Sequence, residues 1–136
     1  MDLAARVSLR GLVDLYAFAC DRRDGDGFAA LFAPDASLVV HWPGRTPSVI
    51  TELAQVPVRL GRYDRTFHFV GNHLVSVLRG DDAAGDAYCL AHHVTGADDK
   101  VIAIHYEDRY RRVGDDWRFA RRDVRVQWID DRKIGS

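Results

Sequence analysis

The 136-residue chain is 47% hydrophobic and carries a formal net charge of −1, so it is long enough for one domain with a buried core. Its arginines are scattered among aspartates rather than gathered into a stripe, which excludes a nucleic-acid partner, and nothing approaches the roughly 20 apolar residues of a membrane span. Cys20 and Cys89 lie far apart without CxxC or Cys/His spacing, so neither a disulfide framework nor a metal site is expected, and a soluble protein of the reducing cytoplasm is.

From about Leu3 to Cys20, Val7, Leu12, Val13, Leu15, Tyr16 and Ala19 recur at helical spacing, predicting a long amphipathic helix. The run Asp21 to Gly27 holds helix-ending glycines and caps, and Phe28 to Phe32 reads as a short second helix stopping before Pro34. Ser37 to Trp42 is β-prone. Pro43-Gly44 breaks it, and Thr46-Pro47-Ser48 offers a cap and first-turn proline for a third short helix ending near Pro57. Four β-rich segments follow, roughly 66–79, 84–95, 100–113 and 116–129, separated by glycine- and aspartate-rich links at Gly80, Gly96 and Gly114. Helices first and an antiparallel meander last predict an α+β architecture, a curved antiparallel sheet wrapped around three N-terminal helices.

Alternation divides the second meander strand into two faces. Ala87, Cys89, Ala91 and His93 share one; Tyr88, Leu90, His92 and Val94 share the other. Small residues beside a histidine leave room for a ligand on the first face. The bulky second face needs covering, which predicts a homodimer or higher homo-oligomer through the outer side of the sheet.

Candidate chemistry gathers on few residues. Asp21 follows Phe18, Ala19 and Cys20 at the end of the first helix, where its carboxylate needs a partner if it faces the core, although a solvated cap is the ordinary role for such a residue. His68 sits among Phe67, Phe69 and Val70, either as a satisfied core histidine or as a base in an apolar wall. If Asp21 accepts the His68 Nδ1 proton, Nε2 is free to remove a proton from carbon. His92 and His93 point to opposite faces, so only one can serve the pocket and they form no chelate. Surface exposure is the ordinary role for Arg122, but its alternation with Val124, Val126 and Trp128 offers a second one, a fixed positive charge in the pocket. Tyr16, Tyr106, Trp42, Phe18, Cys89, Ala91 and Val124 complete the expected lining.

The segments Leu15-Tyr16 through Asp21-Arg22-Arg23-Asp24, Phe32-Ala33-Pro34-Asp35-Ala36 and His68-Phe69-Val70-Gly71-Asn72, with the ending Asp108-Arg109-Tyr110, Trp117 to Ala120 and Val124 to Trp128, resemble the SnoaL-like branch of the nuclear transport factor 2-like superfamily. The resemblance is narrower to its scytalone dehydratase type and covers nearly the whole chain. It implies a cystatin-like cone, with Asp21 and His68 as a catalytic pair and His93 as a second histidine on the neighbouring strand. It extends to hexachlorocyclohexane dehydrochlorinase and bile-acid 7α-dehydratase, which implies further roles for Arg122 and Tyr16. Cys20 and Val40 stand where scytalone dehydratase has substrate-contacting tyrosines, so scytalone itself is not the expected substrate.

These readings predict a cofactor-independent lyase or isomerase acting on a hydrophobic cyclic small molecule. His68 is the expected base, Asp21 its orienting partner, and Tyr16 or Tyr106 the donor to a developing oxyanion. Arg122 stabilises negative charge and His93 protonates a leaving hydroxyl. Two alternatives use the same cone: a non-catalytic small-molecule-binding protein, and the small accessory subunit of a ring-hydroxylating oxygenase.

Overall fold

The computed structural model describes residues 2–135. Helix α1 spans Leu3–Asp21, opened by Asp2, whose side chain accepts the Ala5 N–H at 2.9 Å. Its buried face carries Leu9, Leu12, Val13, Tyr16 and Cys20, as the periodicity requires. The helix stops where Arg23 takes a left-handed φ of 58°. The Arg23 and Asp24 N–H groups then bond the carbonyls of Cys20 and Ala19 at 3.2 and 3.0 Å, the Schellman arrangement that satisfies a helix end. Asp21 is thereby fixed as the last helical residue.

The second helix, α2, covers Gly25–Ala29 rather than the predicted Phe28 to Phe32. Asp24 caps it by accepting the Gly27 N–H at 2.9 Å, which starts the helix early, and Phe32 already begins strand β1, Phe32–His41. Pro34 falls in the stretch between Phe32 and Ser37 where the pairing register shifts, a place that tolerates a missing N–H. The predicted helix from Thr46 is also corrected. Ser48–Ile50 forms a short strand, β2, on the edge of β1, and helix α3 comes later, at Gln55–Arg59, followed by a single 3-10 turn at Leu60–Arg62. Pro57 sits in the first turn of α3, where an N–H has no helical partner anyway. A Cβ on Gly25 would lie 2.3 Å from the Ala54 carbonyl oxygen, so glycine is what lets α2 approach the start of α3.

Strands β3 (Arg65–Arg79), β4 (Asp82–Thr95), β5 (Asp98–Val113) and β6 (Asp116–Lys133) form the expected meander. Two-residue turns join them, with Gly80, Gly96 and Gly114 at φ of 55°, 60° and 64°, the hand that hairpin turns require. The sheet order is β2-β1-β6-β5-β4-β3. Every pair is antiparallel except β1 with β6, which run parallel, so the curved sheet is mixed where sequence reading predicted antiparallel strands throughout. Its concave face packs on α1 around a core that includes Leu9, Val13, Phe28, Leu38, Ile104 and Phe119. Among the described residues no helix is long and apolar enough to cross a membrane.

Candidate active site

Two ladders joining three strands of the meander aim the site residues. Thr66, His68 and Val70 of β3 stand opposite His93, Ala91 and Cys89 of β4, and Lys100, Ile102 and Ile104 of β5 continue the same inner face. With α1 and β1 this face encloses a chamber of about 390 Å³, lined among others by Tyr16, Trp42, His68, His93, Tyr106 and Val124. That size suits one small ligand. Ala91, directly across the ladder from His68, is what keeps the space beside the imidazole open.

The end of α1 meets β3 at Asp21. One carboxylate oxygen accepts the His68 Nδ1 proton at 2.7 Å and the Thr66 hydroxyl at 2.9 Å, and the other accepts the His68 backbone N–H at 2.8 Å. A carboxylate can only accept when ionised, so Nδ1 carries the proton. Among the described residues His68 Nε2 has no hydrogen-bond partner, and His68 lines the chamber. Arg23 adds an outer support, donating to the Thr66 hydroxyl at 2.6 Å and the Cys20 carbonyl at 3.0 Å. Burial works to raise the Asp21 pKa, but the His68 side-chain and backbone hydrogen bonds, the His68 charge and the Thr66 hydroxyl outweigh it and hold the carboxyl below its ordinary range.

His93 packs 4.9 Å from Tyr63 and 5.9 Å from His68, measured between ring centroids. Its Nδ1 lies 3.1 Å from the Lys100 carbonyl oxygen, and a carbonyl accepts only, so this nitrogen too is protonated. Burial lowers the His93 pKa; the Lys100 carbonyl opposes that, and the charges of His68 and Arg62 reinforce it. At neutral pH His93 is therefore a neutral ring and reaches an acid role only after gaining a proton.

Beneath the chamber lies a second charged pair. Arg122 is wholly buried, with its Nε 2.9 Å from one Asp108 oxygen and a terminal nitrogen 3.3 Å from the other. Its guanidinium stacks 3.4 Å from the Tyr106 ring centroid, 4.1 Å from Tyr16 and 4.6 Å from Phe119. Desolvation disfavours its charge, yet Asp108 and the surrounding phenols hold the pKa above the ordinary arginine value. Parity placed Arg122 on the inner face, but the expectation that it enters the pocket is corrected: Tyr16 and Tyr106 line the chamber and Arg122 lies behind them. Burial pushes both phenols well above their usual pKa, so they remain hydrogen-bond donors.

Other expected lining residues divide. Trp42, Val124, Tyr16 and Tyr106 reach the chamber. Cys89 and Ala91 are buried on the same face and back the wall rather than line it. Phe18 does not belong to the site: it is 55% exposed on the far side of α1, under the Arg22 guanidinium at 4.9 Å. Trp128, taken as an inner companion of Val126, also changes face. Ile104 pairs with Val126 but Ala103 pairs with Trp128, so Gln127 is an extra residue that turns Trp128 outward. Sequence reading missed Thr66, Asp108 and the rim residues Arg59, Arg62, Tyr63 and Lys100. Period-two alternation from His68 to Thr66 and from Tyr106 to Asp108 carried a signal for the first two. Among the described residues no group of three or more His, Cys, Asp or Glu side chains is placed to hold a metal ion.

The SnoaL-like domain family matches residues 1–123, and the chain belongs to that family. No curated protein sequence matches it. Among solved structures, a candidate scytalone dehydratase of Novosphingobium aromaticivorans is 19% identical, with a TM-score of 0.82 over 99% of this chain and 92% of that one. A candidate aromatic ring hydroxylase of the same organism is 21% identical, with a TM-score of 0.84 over 97% and 96%. The hexachlorocyclohexane dehydrochlorinase LinA-type3 of Novosphingobium barchaimii is 22% identical, with a TM-score of 0.79 over 95% and 90%. At such identities the likeness establishes the fold, a cystatin-like cone, and the chemistry has to be argued from the site itself.

Proposed function

We propose that the protein is a cofactor-independent lyase or isomerase that removes a proton from a carbon next to a carbonyl, or a comparable activating group, on a hydrophobic ring. The observation that carries this reading is the 2.7 Å contact of His68 Nδ1 with Asp21, which leaves Nε2 as an unprotonated acceptor at the wall of an apolar chamber. Asp21 fixes the tautomer and stabilises the imidazolium formed when the base takes its proton, an arrangement that contributes about 10²- to 10⁴-fold.

Tyr16 or Tyr106 donates to the oxygen on which charge develops, and Arg122 acts through these two rings as a buried positive charge rather than by touching substrate. One preorganised donor of this kind contributes roughly 3 to 4 kcal/mol. In an elimination the proton taken by His68 departs with the leaving hydroxyl as water, His93 serving as its relay. In an isomerisation the same proton returns to a different carbon. The structural neighbours named a scytalone dehydratase and a dehydrochlorinase support elimination chemistry in this cone.

The reading includes self-association through the outer sheet face. Phe67, Phe69, Tyr88, Leu90 and Trp128 are all exposed there, and Phe69, Tyr88, Leu90 and Trp128 surround a groove of about 460 Å³. A second copy of the chain is the covering we assign to it. Two buried free thiols, Cys20 and Cys89, suit a reducing cytoplasm.

Exchange into deuterium oxide tests the chemistry without knowledge of the natural substrate. Incubated with a panel of ring ketones such as 2-tetralone, the protein should speed loss of the NMR signal from protons next to the carbonyl, and His68→Ala should abolish the acceleration. No acceleration with any ketone, or undiminished exchange in His68→Ala, would remove the proposed base.

A further inference from the structure

The chamber is apolar in depth and cationic at its mouth. Leu38, Val40, Ile50, Ile102, Ile104 and Val126 contribute walls, whereas among the described residues Arg59, Arg62 and Lys100 are the permanently charged ones that line it. Among the described residues no aspartate or glutamate lines it. The three cations come from three elements that converge on one side: Arg59 ends α3, Arg62 ends the following 3-10 turn, and Lys100 of β5 lies across the β4–β5 ladder from His93.

Among the described residues Arg62 and Lys100 form no ion pair. Arg62 instead lies over the Tyr63 ring, 4.9 Å from its centroid, with a 3.3 Å contact to the phenol oxygen. The acids near Lys100 along the strands are otherwise engaged or apart from it: Asp98 pairs with Lys133, Asp99 with His92 on the outer face, and Asp131, across the ladder from Lys100, makes no ion pair with it. Arg59 has one exposed partner, Glu52 at 3.4 Å, a contact of the kind that contributes little and yields readily. A neutral hydrocarbon ligand gives this rim nothing to bind, and a polyanion has no complementary surface beyond it.

We propose that the chamber takes a ring compound bearing a single carboxylate, the ring against the apolar wall and the carboxylate held at the mouth by Arg59, Arg62 and Lys100. The proposal rests on the chamber being the ligand site, and not on the proton transfer assigned to His68. It also fixes the ligand's direction. With the carboxylate beside Lys100 and Arg62 it lies next to His93, and the ring points inward past His68 toward Tyr16 and Tyr106. An anion so placed offsets the repulsion that Arg62 exerts on a proton at His93, so binding itself would help the second histidine to take up the relayed proton.

Calorimetric titration at low salt, comparing naphthalene-2-carboxylate with naphthalene-2-carboxamide, separates charge from shape. The carboxylate should bind about tenfold more tightly, the sum of several screened ion pairs. That preference should shrink as salt approaches about 1 M and fall to the remaining contribution of Arg59 in the R62Q/K100Q double variant, while carboxamide binding changes far less than carboxylate binding. Both replaced side chains are exposed, and circular dichroism would verify that the fold is retained. Equal binding of the two probes, or tighter binding of the carboxamide, would overturn the proposal and leave the chamber as a ligand site. Binding of neither would remove the chamber reading together with the proposal.

Discussion

The two faces of one sheet carry the same pair of residue types in opposite circumstances. On the outer face His41 meets Asp123 at 2.7 Å, His92 meets Asp99 at 2.7 Å and His105 meets Asp86 at 2.8 Å. On the inner face His68 meets Asp21 at 2.7 Å. Distance does not distinguish them, so a His–Asp contact is not by itself a catalytic signature. The difference lies in what surrounds each ring. His68 is 7% exposed and lines the inner chamber, whereas the three outer imidazoles are 21% to 32% exposed. His68 stands on the wall of the chamber assigned to a ligand, whereas His105 borders the outer groove assigned to a second copy of the chain.

Mutation can break that comparison, and the largest expected effect is on turnover. His68→Ala or Asp21→Asn should each lower the rate with a substrate found by screening by about 10²- to 10⁴-fold, and the double variant should be little worse than either single one because the pair acts as a unit. His92→Ala and His105→Ala should stay within a few-fold of the parent. A loss in His105→Ala equal to that in His68→Ala would show that the inner pair has no special standing.

Stability offers the next contrast. Asp108→Ala strands the wholly buried Arg122 charge and should cost about 3 to 5 kcal/mol in urea unfolding. Asp86→Ala, which breaks the exposed His105 pair, should cost about 0 to 1 kcal/mol. Equal costs would mean that Arg122 finds another partner when Asp108 is gone.

Assembly should depend on the outer face alone. Replacing Leu90 and Trp128 together with serine removes side chains whose burial contributes roughly 1.5 to 3 kcal/mol each, so sedimentation should shift toward the monomer while naphthalene-2-carboxylate binding persists. A parent protein already monomeric at micromolar concentration would contradict the proposed association.

The smallest effect concerns pH. A histidine whose folded pKa is depressed favours the fold while neutral, so the His93 contribution is fully present above its unfolded value of about 6.5 and is lost as pH falls through the lower folded value. Asp21, also depressed, follows the same sign nearer pH 4: its contribution is present above about 3.9 and disappears at lower pH. His93→Gln should therefore flatten the stability profile in mildly acidic solution without altering the acid limb governed by carboxylates. Calorimetric unfolding measured across that range checks both windows.

Local alternation made the meander and α1 legible from sequence, because each strand or helix presents its period within a few residues. The edge strand β2 was not legible: its three residues owe their conformation to pairing with β1, a contact that no local pattern announces. Gln127 is a similar case, since the bulge that turns Trp128 outward depends on the register with β5. Parity did place Arg122 correctly on the inner face. Its retreat behind Tyr16 and Tyr106 was hidden because α1 and β5 jointly supply the shield. For the site, order along the chain and family resemblance singled out Asp21 with His68. The spacing of acids and histidines alone could equally have suggested His105 with Asp86, and only the chamber on one side of the sheet separates the two.

Imidazole nitrogen NMR tests the central claim most directly, because all the pairs are read in one spectrum. The geometry requires His68 to carry its proton on Nδ1, toward Asp21, and His105 to carry its proton on Nε2, toward Asp86. On addition of naphthalene-2-carboxylate the unprotonated His68 Nε2 resonance should shift while the His105 resonances stay in place. A His68 ring protonated on Nε2, or one indifferent to a ligand that binds, would contradict its assignment as the base of this chamber.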